Sequence, residues 1–103
     1  MEHEKIIIHV NPDITHMVPL FLDYSQRDLV AVRGALVVGD YDVIRVAGHN
    51  MKGSGESYGF SFVSRVGNEM ELAATQGDQR KINALLDQLI DYFSRLEIVY
   101  SVE

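Results

Sequence analysis

Apolar residues recur at helical spacing through most of the chain, and the last quarter shows this pattern most clearly. Between residues 78 and 100 the apolar side chains follow the i, i+3, i+4, i+7 spacing that places them on one face of a helix. These residues are Ile82, Leu85, Leu86, Leu89, Phe93 and Leu96. Asp78 stands just before them, where its carboxylate can cap the first turn. The pattern predicts a helix over residues 78–100.

Three further helices are predicted upstream, over residues 19–38, 41–56 and 59–76. In the first of them, Pro19 suits the first helical turn and Gly39 suits a C-terminal stop. Asp40 is placed as the N-cap of the second helix, and the apolar pattern restarts near Tyr58 for the third. The sequence therefore predicts four main helices.

The connections between these helices are only a few residues long, which favours antiparallel neighbours. The predicted fold is therefore all-α, an antiparallel up-down-up-down four-helix bundle over residues 13–103. Residues 13–17 are expected to add a short extra helix at its N-terminal side. Residues 1–12 are interpreted as an extended N-terminal arm or linker tail, because Asn11 and Pro12 end a short β-branched run. The C-terminal residues 98–102 are similar in character, so the two ends could pair as strands.

Composition and net charge limit the kinds of partner that the chain is expected to bind. The chain has 103 residues, of which 47% are apolar, and this favours one domain with one core. Its formal net charge of −6 argues against nucleic acid and anionic membranes as partners. The absence of cysteine excludes thiolate chemistry, and His3, His9 and His16 lack the spacing of metal ligands, so no metal site is expected. No apolar run approaches the roughly 20 residues that span a bilayer, so a cytoplasmic location is expected.

The candidate chemistry lies at the end of the second predicted helix. At about 100° per residue, His49 projects away from the apolar stripe of that helix, on the side of Arg45 and Lys52. Glycine is disfavoured inside helices, yet Gly48 and Gly53 stand on either side of His49. We interpret both glycines as lying on the exposed side, where they leave room for a large group to approach the imidazole.

Lys52 and Gly53 follow His49 at i+3 and i+4, so both are its neighbours on the helix surface. A neutral imidazole nitrogen can attack phosphorus without a dedicated base. A phosphoryl group carries its negative charge on oxygens that a nearby ammonium can neutralise. The arrangement therefore indicates phosphoryl transfer at His49, with Lys52 as the charge partner.

This pattern resembles the histidine-containing phosphotransfer (HPt) domain, whose signature is a His, two residues, Lys-Gly-Ser and a further Gly. Here the signature runs from His49 through Lys52, Gly53 and Ser54 to Gly59. The resemblance implies that His49 accepts a phosphoryl group on its outer ring nitrogen from the aspartate of a receiver domain and passes it to another receiver. It also implies that Lys52 holds the phosphoryl group and that Gly53 leaves space for it.

Further site residues are implied by the same resemblance. Asn68 or Glu71, on the following helix, is the candidate for a hydrogen bond to the other ring nitrogen. Arg45, Gly48 and Ser54 are assigned supporting or docking roles. The partners implied are response-regulator receiver domains and hybrid sensor kinases, with Mg²⁺ supplied by the receiver rather than by a cofactor of this chain. A monomeric phosphocarrier without catalytic turnover of its own is expected.

Two alternatives remain at the level of sequence. An HPt-like adaptor would bind receiver domains without carrying phosphate, although docking alone requires neither His49 nor Lys52. A general helical interaction module would leave the His-Lys-Gly-Ser spacing unexplained. A nucleotide-binding loop is disfavoured, because Lys52 precedes the glycines at positions 53 and 55 instead of closing them.

Overall fold

The computed structural model describes residues 4–100 and contains four α-helices, one 3-10 helix and two short strands in that part of the chain. In chain order they are β1 (Ile6–Val10), a 3-10 helix (Pro12–Met17), α1 (Val18–Val38), α2 (Tyr41–Ser57), α3 (Ser61–Thr75), α4 (Gln79–Arg95) and β2 (Leu96–Tyr100). The four helices agree with the predicted helical bundle. Their up-and-down order stays a prediction.

The helix boundaries follow the signals in the sequence. Asp40 caps α2 by accepting a hydrogen bond from the backbone N–H of Val43, and Asp78 caps α4 in the same way with Lys81. Each carboxylate satisfies one of the backbone donors that the first turn of a helix leaves free. Gly39 ends α1 with a φ of 73°, a left-handed conformation that favours glycine. These three predictions are confirmed.

A single apolar core joins the helices. The side chains that are fully withdrawn from solvent come from every helix and include Val32, Ile44, Phe60, Val63, Val66, Met70, Ile82, Leu85 and Leu89. Phe60, the residue just before α3, stacks on Phe21 of α1 with ring centroids 4.6 Å apart. The residues just before α3 are thus tied to α1 across the core.

Helices α2 and α3 approach each other through glycine. A Cβ atom on Gly48 would lie 2.8 Å from the carbonyl oxygen of Gly67, and one on Gly67 would lie 2.6 Å from the backbone nitrogen of Lys52. Gly55 makes a third contact of this kind, 2.6 Å from the backbone nitrogen of Ser64. No side chain fits at these points, so the two backbones pack directly against each other. We call these three glycines the glycine seam.

The end of the chain departs from the all-α prediction. Helix α4 ends at Arg95 rather than at Tyr100, because Leu96 adopts an extended backbone with φ −72° and ψ 131°. The following residues form β2, which pairs in parallel with β1 so that Ile8 lies opposite Ile98. The predicted pairing of the two ends as strands is therefore confirmed for the described residues, whereas Ser101 and Val102 lie outside them.

The strand pair is fastened to the helical bundle. Val10 is buried in the core, with 2% of its surface exposed. Lys5 forms an ion pair with Glu97 at 3.2 Å across the two strands, and the Arg95 guanidinium donates to the backbone carbonyl of Glu4 at 3.3 Å. Within residues 4–100, no helix has the length and apolar content that crossing a membrane requires.

Candidate functional site

His49 lies on the solvent side of α2. The residues of α2 that face the core include Ile44, Ala47 and Met51, and the His49 side chain on the other side is 68% exposed. The helical spacing predicted this orientation correctly. A macromolecular partner can therefore reach the imidazole.

Glu71 of α3 holds one edge of the ring. Its Oε2 lies 3.3 Å from Nδ1 of His49, and its side chain is mostly shielded, with 26% exposed. A carboxylate beside Nδ1 favours the hydrogen on that nitrogen. A ring with its hydrogen on Nδ1 has its free lone pair on Nε2. Of the two residues proposed for this position, the structure brings Glu71 to the ring, whereas no described contact joins Asn68 to it.

The glycine seam explains how Glu71 reaches this position. Gly48, next to His49 in sequence, would place a Cβ atom 2.7 Å from the backbone nitrogen of Glu71. The direct packing of the two helices therefore sets Glu71 beside the turn of α2 that carries His49. The interpretation of Gly48 as an exposed residue is wrong: Gly48 is buried between α2 and α3. Its lack of a side chain lets α2 and α3 pack closely together, and it does not make room for a partner.

Gly53 behaves as predicted, because a Cβ atom there would meet nothing within 4 Å. One turn after His49, the helix surface is therefore open. Lys52 is exposed, and in the described part of the chain its ammonium has no ion pair or hydrogen bond of its own. Its backbone carbonyl accepts a hydrogen bond from Ser64 Oγ at 2.8 Å, which fixes this turn of α2 to α3. A free ammonium beside open space is available to an anionic group.

The two remaining candidates have local partners. Arg45, one turn before His49, donates to Asp42 Oδ1 at 2.8 Å through Nη2. Hydrogen bonding to Asp42, then the charges of Asp42 and Glu71, raise the pKa of the already cationic Arg45 further. The hydroxyl of Ser54 donates to the carbonyl of Asn50 at 2.9 Å and so serves its own helix.

Two residues that shape the site, Gly67 and Ser64, were not predicted from the sequence. Gly67 lies inside the predicted third helix, and a glycine inside a helix can indicate close approach of another backbone. Which helix approaches it could not be inferred from spacing alone. Among residues 4–100, no group of three His, Cys, Asp or Glu side chains is arranged to hold a metal ion.

A solvent-facing histidine in a helical bundle, with a carboxylate from the next helix at its inner nitrogen, is the arrangement expected of a histidine phosphocarrier. The family model of the Hpt domain matches residues 16–98. Because that match covers well over half of the chain, the chain belongs to the Hpt domain family. Comparisons with curated proteins and with solved structures find no significant match. Hpt domains are phosphocarriers rather than catalysts, and they interact with receiver domains and kinases in phosphorelays.

Proposed function

We propose that His49 accepts a phosphoryl group from the aspartyl phosphate of one receiver domain and passes it to the aspartate of another. Nε2 attacks phosphorus, an N–P bond forms, and the P–O bond to the aspartate breaks as the carboxylate leaves. The second transfer reverses these steps on a new carboxylate. The observation that supports this proposal best is the exposed ring of His49 with Glu71 3.3 Å from Nδ1.

Glu71 has two roles in this proposal. Before transfer it keeps the hydrogen on Nδ1, so that the lone pair of Nε2 faces solvent. As the N–P bond forms, the ring gains positive charge, and the adjacent carboxylate stabilises that charge. Both roles depend on the same contact with Nδ1.

Lys52 and Gly53 serve the phosphoryl group itself. The ammonium of Lys52 offsets the charge on the phosphoryl oxygens through charge-assisted hydrogen bonds. Gly53 leaves the adjoining surface free of side-chain atoms, which gives the phosphoryl group and the receiver room to approach. Mg²⁺ is assigned to the receiver, and the shared compartment of chain and receivers is the cytoplasm.

Transfer of label from a phosphorylated receiver domain tests the assignment to His49. We expect the wild-type chain to become labelled and His49→Gln to remain unlabelled. The label should be lost in acid and retained in alkali, since the N–P bond of phosphohistidine is labile only in acid. Label that survives acid, or that persists in His49→Gln, would rule out the assignment.

Lys52→Ala separates a carrier from an adaptor that only docks. Phosphorylation places roughly 1.5 to 2 negative charges beside Lys52, by analogy with other phosphorylated side chains. We expect receiver affinity to stay within about threefold of wild type, because one exposed cation adds little to docking. The rate of transfer should fall clearly. Lys5→Ala, which removes the same charge at the strand pair, is the matched control. Equal losses of affinity and of transfer in Lys52→Ala would make Lys52 a docking residue.

A further inference from the structure

Helix α1 is apolar on two opposite sides. The side that faces the core contains Val18, Phe21, Ser25, Leu29, Val32, Ala35 and Leu36. The outward side carries a second stripe, with spacings of four, three, four, three and four residues, formed by Leu20, Tyr24, Arg27, Ala31, Gly34 and Val38. We call these six residues the outer stripe. Leu20 is 49% exposed, Tyr24 54% and Val38 76%, so the chain leaves much of this apolar surface in water.

The spacing of the outer stripe is that of a helix that pairs with another helix. Alternating steps of three and four residues average 3.5, the repeat of the contact seam in two-stranded helical packing. The stripe runs from end to end of α1, whose 21 residues span about 31 Å. Large exposed apolar surfaces of this kind mark interaction sites in soluble proteins.

Charge singles out this surface within an acidic molecule. The chain carries a net charge of −6, so two copies repel each other over most of their surfaces. The one charged member of the outer stripe, Arg27, forms an ion pair with Asp23 at 3.0 Å and lies 5.8 Å from the centre of the Tyr24 ring. The stripe and its flanking Asp23 therefore carry no net charge, so they add nothing to the repulsion between two copies.

Contacts within the single chain do not explain why residue 34 is a glycine. A Cβ atom at Gly34 would meet nothing within 4 Å, in contrast to the tightly enclosed Gly48 and Gly67. A glycine inside a helix costs about 1 kcal/mol relative to alanine. Packing within the chain does not require it, whereas close approach of a second helix would favour it.

We propose, in place of the monomer expected from the sequence, that two copies of this chain associate through antiparallel packing of their outer stripes. The six positions are symmetric about the level of residue 29. A twofold axis at that level sets Leu20 opposite Val38 and Tyr24 opposite Gly34 of the second copy. It also sets Arg27 opposite Ala31. A large side chain thus meets a small one in the two inner pairs, and two apolar side chains meet in the outer pair, which is the complementarity that close packing of helices needs.

The contact area sets the expected strength. With about 100 Å² from each of the four large side chains of the stripe, two copies would bury about 800 Å² in total, which is less than the roughly 1,200 Å² at which stable interfaces begin. We therefore expect a weak dimer whose population rises with concentration. This proposal does not depend on phosphoryl transfer.

Sedimentation equilibrium of the whole chain, from low-micromolar to millimolar concentration, tests the association. We expect the average mass to rise from 11.6 kDa toward twice that value. A mass of one chain at every concentration would overturn the proposal and would leave the outer stripe to a different protein.

Two glycine substitutions test which surface is used. Gly34→Leu should weaken association about tenfold or more, because the new side chain would collide with Tyr24 of the second copy. Gly53→Leu is the matched control, since Gly53 also lies in a helix with open space around it, and it should leave association unchanged. Circular dichroism will establish that both variants retain their helices. Equal association of Gly34→Leu and wild type would contradict the proposal.

A size swap tests the register. In the double variant Tyr24→Ala and Gly34→Leu, the small and large positions are exchanged, so each pair again joins a large side chain to a small one. We expect association within about threefold of wild type, since packing volume is conserved. A double variant that associates no better than Gly34→Leu would overturn the antiparallel register.

Discussion

The imidazole of His49 has two nitrogens, and its chemistry depends on which of them is occupied. Glu71 lies beside Nδ1 at 3.3 Å, so we propose that phosphorus bonds to Nε2. At the residue scale, the proposed reactivity of His49 thus depends on a side chain from another helix. Exposure alone would not distinguish the two nitrogens.

Glu71→Ala is expected to slow phosphoryl transfer about five- to tenfold, because an exposed contact to a charged group contributes about 1 kcal/mol. The ¹⁵N chemical shifts of the His49 ring should show a smaller fraction with the hydrogen on Nδ1. Glu69→Ala is the control on the same helix, since Glu69 pairs with Lys81 at 3.4 Å instead. Wild-type transfer and unchanged ring shifts in Glu71→Ala would remove the role of this carboxylate.

Only some of the site residues could be placed correctly from the sequence. Helical spacing placed His49 and Gly53 on the solvent side because that property belongs to a single helix. The choice between Asn68 and Glu71 depends on the rotation of α3 against α2, which spacing within one helix does not define. Gly48 was misplaced for a related reason: glycine has no side chain whose hydropathy would reveal that its backbone is buried.

At the scale of elements, the glycine seam fixes α2 against α3. Gly67→Ala would place a methyl group 2.6 Å from the backbone nitrogen of Lys52 and 2.7 Å from the carbonyl oxygen of Gly48. We expect this overpacking to lower the free energy of unfolding by about 1 to 3 kcal/mol.

Gly34→Ala is the matched control for Gly67→Ala. The added methyl group meets open space, and alanine favours the helix more than glycine does, so this substitution should raise the free energy of unfolding by up to about 1 kcal/mol. Urea unfolding at low protein concentration measures both variants without contribution from association. Similar stabilities of the two variants would contradict the role of the seam.

The strand pair offers a second test at this scale. Val10→Ala removes buried methyl groups and should destabilise the protein by about 2 kcal/mol. Ile7→Ala, on the outward face of β1 with 53% exposure, should change stability by less than about 0.5 kcal/mol. Thermal unfolding of the two variants is the measurement. Equal losses would mean that β1 does not bury one face against the helices.

The sequence predicted the ends of helices correctly where residues within a few positions determine them. Asp40, Asp78 and Gly39 marked helix ends because caps and left-handed stops act within a few residues. The end of α4 was predicted too late because Leu96 continues the helical spacing. The strand that replaces the last turn depends on pairing with β1 from the opposite end of the chain.

At the scale of the whole molecule, stability is expected to depend on pH through Asp28 of α1. Burial raises the pKa of this half-buried carboxyl above its usual value. Between the unfolded and folded pKa values the folded state binds more protons, so stability falls as pH rises through that window. The cost is present in full above the folded pKa and absent below the unfolded pKa.

Asp28→Asn should therefore stabilise the chain at neutral pH by less than about 1 kcal/mol, since solvent screens a half-exposed group. The gain should vanish in acid, below the unfolded pKa of the carboxyl. Asp87→Asn, at an exposed position of α4, is the control. Unfolding curves at several pH values measure both. A gain that persists unchanged in acid would mean that burial of the Asp28 charge is not its cause.

Transfer followed directly at the nitrogen atoms of His49 tests the central claim. The chain, labelled with ¹⁵N in its histidine rings, is mixed with a phosphorylated receiver domain and observed by ¹⁵N and ³¹P NMR. We predict that the Nε2 resonance of His49 shifts and couples to phosphorus, whereas Nδ1 keeps its hydrogen beside Glu71. Coupling of phosphorus to Nδ1, phosphorylation of another histidine, or an unchanged His49 ring while the receiver loses its phosphoryl group would contradict transfer at Nε2 of His49.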